Sequence, residues 1–235
     1  MLRLFIPLLL LVSLCPGTGC RNKTISLPEE QASPYFPMKL GSYIIYQVDS
    51  ISFNSNTQQS DTSHWQLKVL ADSVWTDAAG QTAVQFLLSK RNSDTTTFTD
   101  WKYSYGNTTS YGVEYVEDNL RFIKLYDPVQ LHQSWSGNSH INATGNLSYL
   151  SGWSYSYSDV FSKANYNGNT YDSTLTVTEL DDENAIRLNK VVERYAKHLG
   201  LIYREDDYLS CNTCGGDFTH PESGTIVRKT ILQYH

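Results

Sequence analysis

Four cysteines are the residues of this 235-residue chain whose type and spacing most directly suggest chemistry. Cys211 and Cys214 enclose Asn212-Thr213 and precede Gly215-Gly216. Such a C-x-x-C pair can be a disulfide, a redox couple or half of a zinc site. A structural zinc takes four ligands, and no second C-x-x-C exists; His198 and His220 could complete a set only through the fold. A redox pair would open a helix in a βαβ unit, whereas this pair stands in a Gly-rich stretch. The expected state is a Cys211–Cys214 disulfide closing a short surface loop. Carboxylates cluster at Asp181-Asp182-Glu183 and at Glu205-Asp206-Asp207. A carboxylate pair can hydrolyse a glycoside, but only at a fixed separation across a cleft. Between strands such runs are solvated turns, and the second could also be a strand end or a weak calcium site. The six histidines are scattered, and G-x-S-x-G, Walker and G-x-G-x-x-G patterns are absent. No catalytic residue, metal ligand or cofactor is assigned, and the chain reads as a non-enzyme.

Cys20 belongs to a different chemistry. Arg3 is followed by the apolar stretch Leu4 to Leu14 and by Cys15-Pro16-Gly17-Thr18-Gly19. A positive start, a short apolar stretch and a small-residue exit make residues 1–19 a secretory signal. The apolar stretch is too short to span a bilayer, which takes about 20 residues. Cys20, after Thr18-Gly19 and before Arg21-Asn22-Lys23, resembles the acylated cysteine of a bacterial lipoprotein, with Gly17 where Leu is usual. Cys15 fits less well because bulky Leu14 precedes it. Several acyl chains on one cysteine make a stable anchor. Residues 20–37, with Pro28, Pro34 and Pro37, then read as a lipidated N-terminus and flexible tether. The expected location is the cell envelope, anchored to the outer membrane of a Gram-negative bacterium and facing periplasm or surface. The sequons at Asn22, Asn107, Asn142 and Asn146 are chance matches on this reading.

The elements that must position these residues are strands. Trp65, Leu67 and Val69 alternate with His64, Gln66 and Lys68. Val84-Phe86-Leu88, Trp101-Tyr103-Tyr105, Tyr111-Val113-Tyr115, Trp153-Tyr155-Tyr157 and Leu175-Val177 repeat the pattern. Period two with one apolar face predicts antiparallel strands, half buried. Gly/Asn/Asp pairs separate the runs, and Asn167-Gly168 predicts a type I′ hairpin because that turn needs positive φ at both central residues. Without helical stretches between, a meander is the simplest topology. The fold class is all-β: a single curved antiparallel sheet, an open half-barrel, over 38–235. A net charge of −6 leaves no basic footprint for nucleic acid. Seventeen Tyr and five Trp supply the core and, on the concave face, a candidate contact surface of Trp65, Trp101, Tyr103, Trp135, Trp153 and Tyr155.

The run Tyr35-Phe36-Pro37-Met38-Lys39-Leu40-Gly41-Ser42-Tyr43 resembles the opening of exported, uncharacterised lipoproteins of Gram-negative envelopes, as do Val116 to Leu125 and Tyr171 to Val177. Tyr195-Ala196-Lys197-His198-Leu199-Gly200-Leu201-Ile202 is similar to a motif that bridges two late strands there, with His198 in place of a Gly. The resemblance implies that 185–199 is strand, although Leu188, Val192, Tyr195 and Leu199 have near-helical spacing. It also implies a strongly curved sheet like the half-barrels of LolA-type carriers. The expected role is non-enzymatic: binding of an apolar small molecule, a glycan or an envelope protein by an anchored β domain. A carbohydrate-binding module and an envelope glycan hydrolase are the alternatives. Intact mass of the protein from its native membrane is expected to fit a chain starting at Cys20 with about three acyl chains. The mass increment is absent from Cys20→Ala if the anchor is there; an unlipidated chain starting elsewhere removes the anchor.

Overall fold

The computed structural model describes residues 30–57, 59–76 and 80–235. The signal segment and Cys20 lie outside the described residues. Two six-strand meanders build one antiparallel sheet. The first runs β1 (Tyr43–Asn54), β2 (Gln59–Thr76), β3 (Thr82–Arg91), β4 (Thr99–Thr109), β5 (Gly112–Glu117) and β6 (Leu120–Tyr126). The second runs β7 (Ser134–Trp135), β8 (Tyr155–Tyr166), β9 (Asn169–Glu183), β10 (Arg187–Ala196), β11 (Gly200–Ser210) and β12 (Ser223–Tyr234). They join through antiparallel pairing of β1 with β12, so β6 and β7 are the two edges. Strand β10 covers the ambiguous segment: Val191, Glu193 and Tyr195 are all buried, which is period two and not 3.6. Asn167 and Gly168 connect β8 to β9 with φ of 48° and 75°, as the hairpin requires.

The sheet curls beyond a half-barrel until its edges nearly meet. Their contact is made largely by side chains. Ile123 N on β6 donates to Gly137 O just past β7 (2.6 Å), and Trp135 Nε1 donates to Ile123 O (2.8 Å). The Tyr157 hydroxyl of β8 accepts from Tyr126 N (2.8 Å) and donates to Tyr126 O (2.7 Å). Backbone groups that an edge strand would expose are thus satisfied, which also removes a template for edge-to-edge association. Gly137 is required by closeness: a Cβ there would stand 2.4 Å from the Tyr155 ring.

The end of the barrel near the starts of β1 and β11 is plugged by residues 30–38. Ala32 N donates to Asp127 Oδ1 (2.6 Å), Val129 N to Glu30 O (2.8 Å) and His198 N to Pro34 O (2.6 Å). Ala32 and Tyr35 are fully buried, and Phe36 packs edge-on against Phe86. The described part of the expected tether is therefore a structural plug, and the folded unit begins by residue 30. Its prolines shape a tight crossing, with Ser33–Tyr35 in a 3-10 turn, where composition suggested an extended linker. Tyr157→Phe leaves both Tyr126 backbone groups without this partner, and is expected to cost about 2 kcal/mol in urea unfolding. A loss under about 0.5 kcal/mol would mean that the seam does not depend on that hydroxyl.

Candidate functional site

The inward faces of the strands carry a row of charges that the period-two pattern hid. Lys124 (β6) reaches across to Glu179 on β9 (2.6 Å) and Glu193 on β10 (3.0 Å). Arg204 (β11) pairs with Glu193 and lies 3.7 Å from Glu179, and its other nitrogens hold Asp206 at 2.7 and 2.8 Å. Lys229 (β12) is the cross-strand partner of Arg204. Glu117 (β5) is joined by Lys102 at 3.2 Å, and Lys102 also meets Asp118 at the rim (2.9 Å). Among these charges, Glu179 and Glu193 are almost wholly excluded from solvent.

Their proton affinities follow from this geometry. Burial, then the neighbouring charge of Glu193, pushes Glu179 up to about 7. Burial would raise Glu193 too, but Lys124 and Arg204 outweigh it and hold the carboxyl below its ordinary value. Glu117 is drawn down to about 2, because Lys229, Arg204, Lys102 and Lys124 together overcome its burial. Lys229 is held below the usual lysine range by burial.

Between this row and the plug lies a cavity of about 90 Å³. Its apolar wall includes Ile44, Val69, Phe86 and Leu88, with Phe36 and Pro37 from the plug. Tyr46, Tyr115, Glu117, Glu193, Arg204 and Lys229 supply its polar part. A water takes roughly 30 Å³ of liquid volume, so this one has room for about three waters or one small organic molecule. Drug-sized ligands take roughly 300 Å³ or more. Among the described residues the concave face is largely filled by its own side chains and by charge.

The six aromatic candidates do not form one surface. Trp135, Trp153 and Tyr155 are buried, in a chain of rings in which Trp135 lies 4.8 Å from Tyr157 and 6.0 Å from Tyr126, centroid to centroid. They close the seam. Trp65 is half-buried on the inward face, across from Val48. Trp101 and Tyr103 are half exposed, at 50% and 51%. Trp101 sits at a bulge between Asp100 and Lys102, where the register against β3 shifts. Lys90 Nζ lies 3.1 Å from its ring centroid and Lys102 Nζ 4.4 Å. Mixed burial corrects the expectation of a single contact face, because the sheet's closure consumes the rings nearest its edges.

Cys211 and Cys214 form a disulfide in the β11–β12 loop, as the spacing led one to expect. The acidic run at 205–207 is not a solvated turn. Asp206 points inward to Arg204, while Glu205 pairs with Arg228 (3.4 Å) and Asp207 beside it is buried. Asp181 to Glu183 end β9, and Asp182 meets Arg187 at 2.7 Å near an exposed turn. Among the described residues no group of three or more His, Cys, Asp or Glu side chains is placed to hold a metal ion. Nor is any helix there long and apolar enough to cross a membrane. The outer faces of β1 and β2 carry Gln47, Asp49, His64 and Gln66, unlike the apolar band of a membrane barrel. No protein-family model and no curated protein matches the chain.

Sequence reading missed Lys124, Glu179, Glu193, Arg204 and Lys229. The available signal was a charge sharing a register face with core residues, as Glu193 does with Val191 and Tyr195.

Glu179 ties proton binding to stability. Its folded affinity is raised, so its contribution is greatest below the ordinary carboxylate value and is lost as pH rises through about 7. Glu117 acts oppositely, stabilising above that value and losing its contribution as pH falls toward 2. Unfolding free energy is expected to fall between pH 5 and 8, by about 2 kcal/mol from Glu179. Glu179→Gln should remove that part of the slope, leaving what Asp207, also raised to about 7 by burial and Glu205, contributes. An unchanged slope would show that Glu179 ionises freely. Lys124→Met, which leaves two facing carboxylates, should cost about 3–5 kcal/mol at pH 8.

Proposed function

We propose that this chain is a lipid-anchored envelope protein, held to the outer membrane through Cys20, that binds a small molecule without transforming it. The ligand site is the cavity inside the barrel, not an aromatic sheet face. One observation carries the reading: a concave space has an apolar wall at one part and fixed charges at another, the arrangement of small-ligand sites.

A glycan hydrolase fits the same charges poorly. Glu179 and Glu193 do converge, but the Lys124 ammonium occupies the space between them, where a glycosidic bond would have to lie. A carbohydrate platform also fits poorly. Lys90 and Lys102 cover Trp101, and the Trp75–Tyr105 pair meets at 70° where a platform needs coplanar rings.

Thermal unfolding in the presence of a panel of small organic molecules tests the site. A compound that stabilises the protein is expected to lose its effect in Val69→Phe, which fills the apolar wall, and to keep it in Trp101→Ala and Tyr103→Ala. The reverse pattern would move binding to the outer aromatics.

A further inference from the structure

The charges facing the cavity are not equally provided for. Lys124 lies between two carboxylates, and Arg204 is held by Glu193 and Asp206. Glu117 has Lys102. Among the described residues, Lys229 has no carboxylate within 4.0 Å of Nζ and no hydrogen-bond acceptor. The Tyr46 ring lies with its centroid 5.7 Å from Nζ. The strongest opposing charge the ammonium feels is Glu117, beyond ion-pair distance and already bridged to Lys102, and the residue directly across the strand pair is a second cation, Arg204. A half-buried ammonium without a direct ion-pair partner is costly, and like charges directly opposite add to that cost. Both costs fall if an anion from outside sits against Lys229.

We propose that the cavity binds a short-chain monocarboxylate, its carboxylate against Lys229 and its hydrocarbon part against Ile44, Val69, Phe86 and Leu88. Size sets the chain length. A cavity of about 150 Å³ accepts benzene, so 90 Å³ limits the ligand to about four carbons. Charge sets the class. Lys124 and Arg204 also line the cavity but are already held by carboxylates, and Glu117 and Glu193 line it too, so a second negative charge on the ligand would face a carboxylate. Dianions such as phosphate and dicarboxylates are thereby disfavoured, a selection made by repulsion as much as by attraction. The apolar wall likewise favours butyrate over acetate, by roughly 0.8 kcal/mol per buried methylene, about fourfold for each.

This rests on the cavity being the ligand site, so the experiment separates the two claims. Titration calorimetry on the full-length chain uses sodium butyrate, with butanol, butyramide, acetate and phosphate as comparison probes. Butyrate is expected to bind at least tenfold more tightly than butanol or butyramide and more tightly than acetate or phosphate. Lys229→Met, which keeps the side-chain length and removes the ammonium, should weaken butyrate at least tenfold while leaving the affinity for butanol unchanged. Val69→Phe, which retains Lys229, should abolish binding. Lys68→Met, outside the cavity, should change nothing. Equal binding of butyrate, butanol and butyramide would overturn the anion claim and leave the cavity standing. Tighter binding of phosphate, or equal weakening in Lys68→Met, would also overturn it. Binding of none of the probes would overturn both claims.

Discussion

The ammonium of Lys124 lies between the carboxylates of Glu179 and Glu193, and the two meanders meet around it. Strand β6 ends one half of the sheet, while β9 and β10 belong to the other, so these contacts cross the line where backbone pairing stops. Desolvation offsets most of the attraction in a buried ion pair, and an apolar core of equal volume would be as stable. What the pair supplies is register. A one-residue slip of β6 or β10 would turn Lys124 or Glu193 outward and leave its partners buried and unpaired. Three carboxylates, Glu179, Glu193 and Asp206, surround two cations there, and Glu179 absorbs the imbalance by keeping its proton to about neutral pH.

Closure has a second component, made of rings. Trp135, Tyr155 and Tyr157 fill the space behind the seam, and two of them also satisfy backbone groups of β6. An aromatic side chain with a polar tip suits this place, because the body packs and the tip replaces a missing ladder bond. The short β7 could not do this with main-chain atoms alone. At the opposite rim Trp101 meets lysines instead of rings, and its π face is used on cations of the same chain. One residue type thus does two jobs, set by distance from the seam.

The plug decides what remains of the interior. Tyr35 and Phe36 enter the barrel end, and Phe36 touches Phe86, Tyr115 and Tyr195 from three different strands. The cavity is the remainder between those rings and the charged row. Its walls therefore differ in polarity by construction, apolar toward the plug and charged toward the row.

The all-β class, the antiparallel pairing, the Asn167-Gly168 turn and the Cys211–Cys214 bridge were legible in the sequence, because each depends on neighbours a few residues apart. Alternation at Trp65-Leu67-Val69 or Leu175-Val177 is a local consequence of the pleat. Which face of a strand is inside the barrel, and which charge meets which, are not local. Lys124 and Glu179 are 55 positions apart, and Lys229 and Arg204 meet only because β12 returns beside β11. Residues 30–37 look like a linker by composition and become a plug only when a barrel end exists to receive them. The rings of Trp135 and Trp101 are chemically alike; the curvature that brings β6 to β7 buries one and leaves the other at the rim. The sequence by itself determined the strands and their turns, through short-range sterics and period two. Only the tertiary structure decided the closure, the charge pairing and the cavity, since those depend on how far the assembled sheet curls.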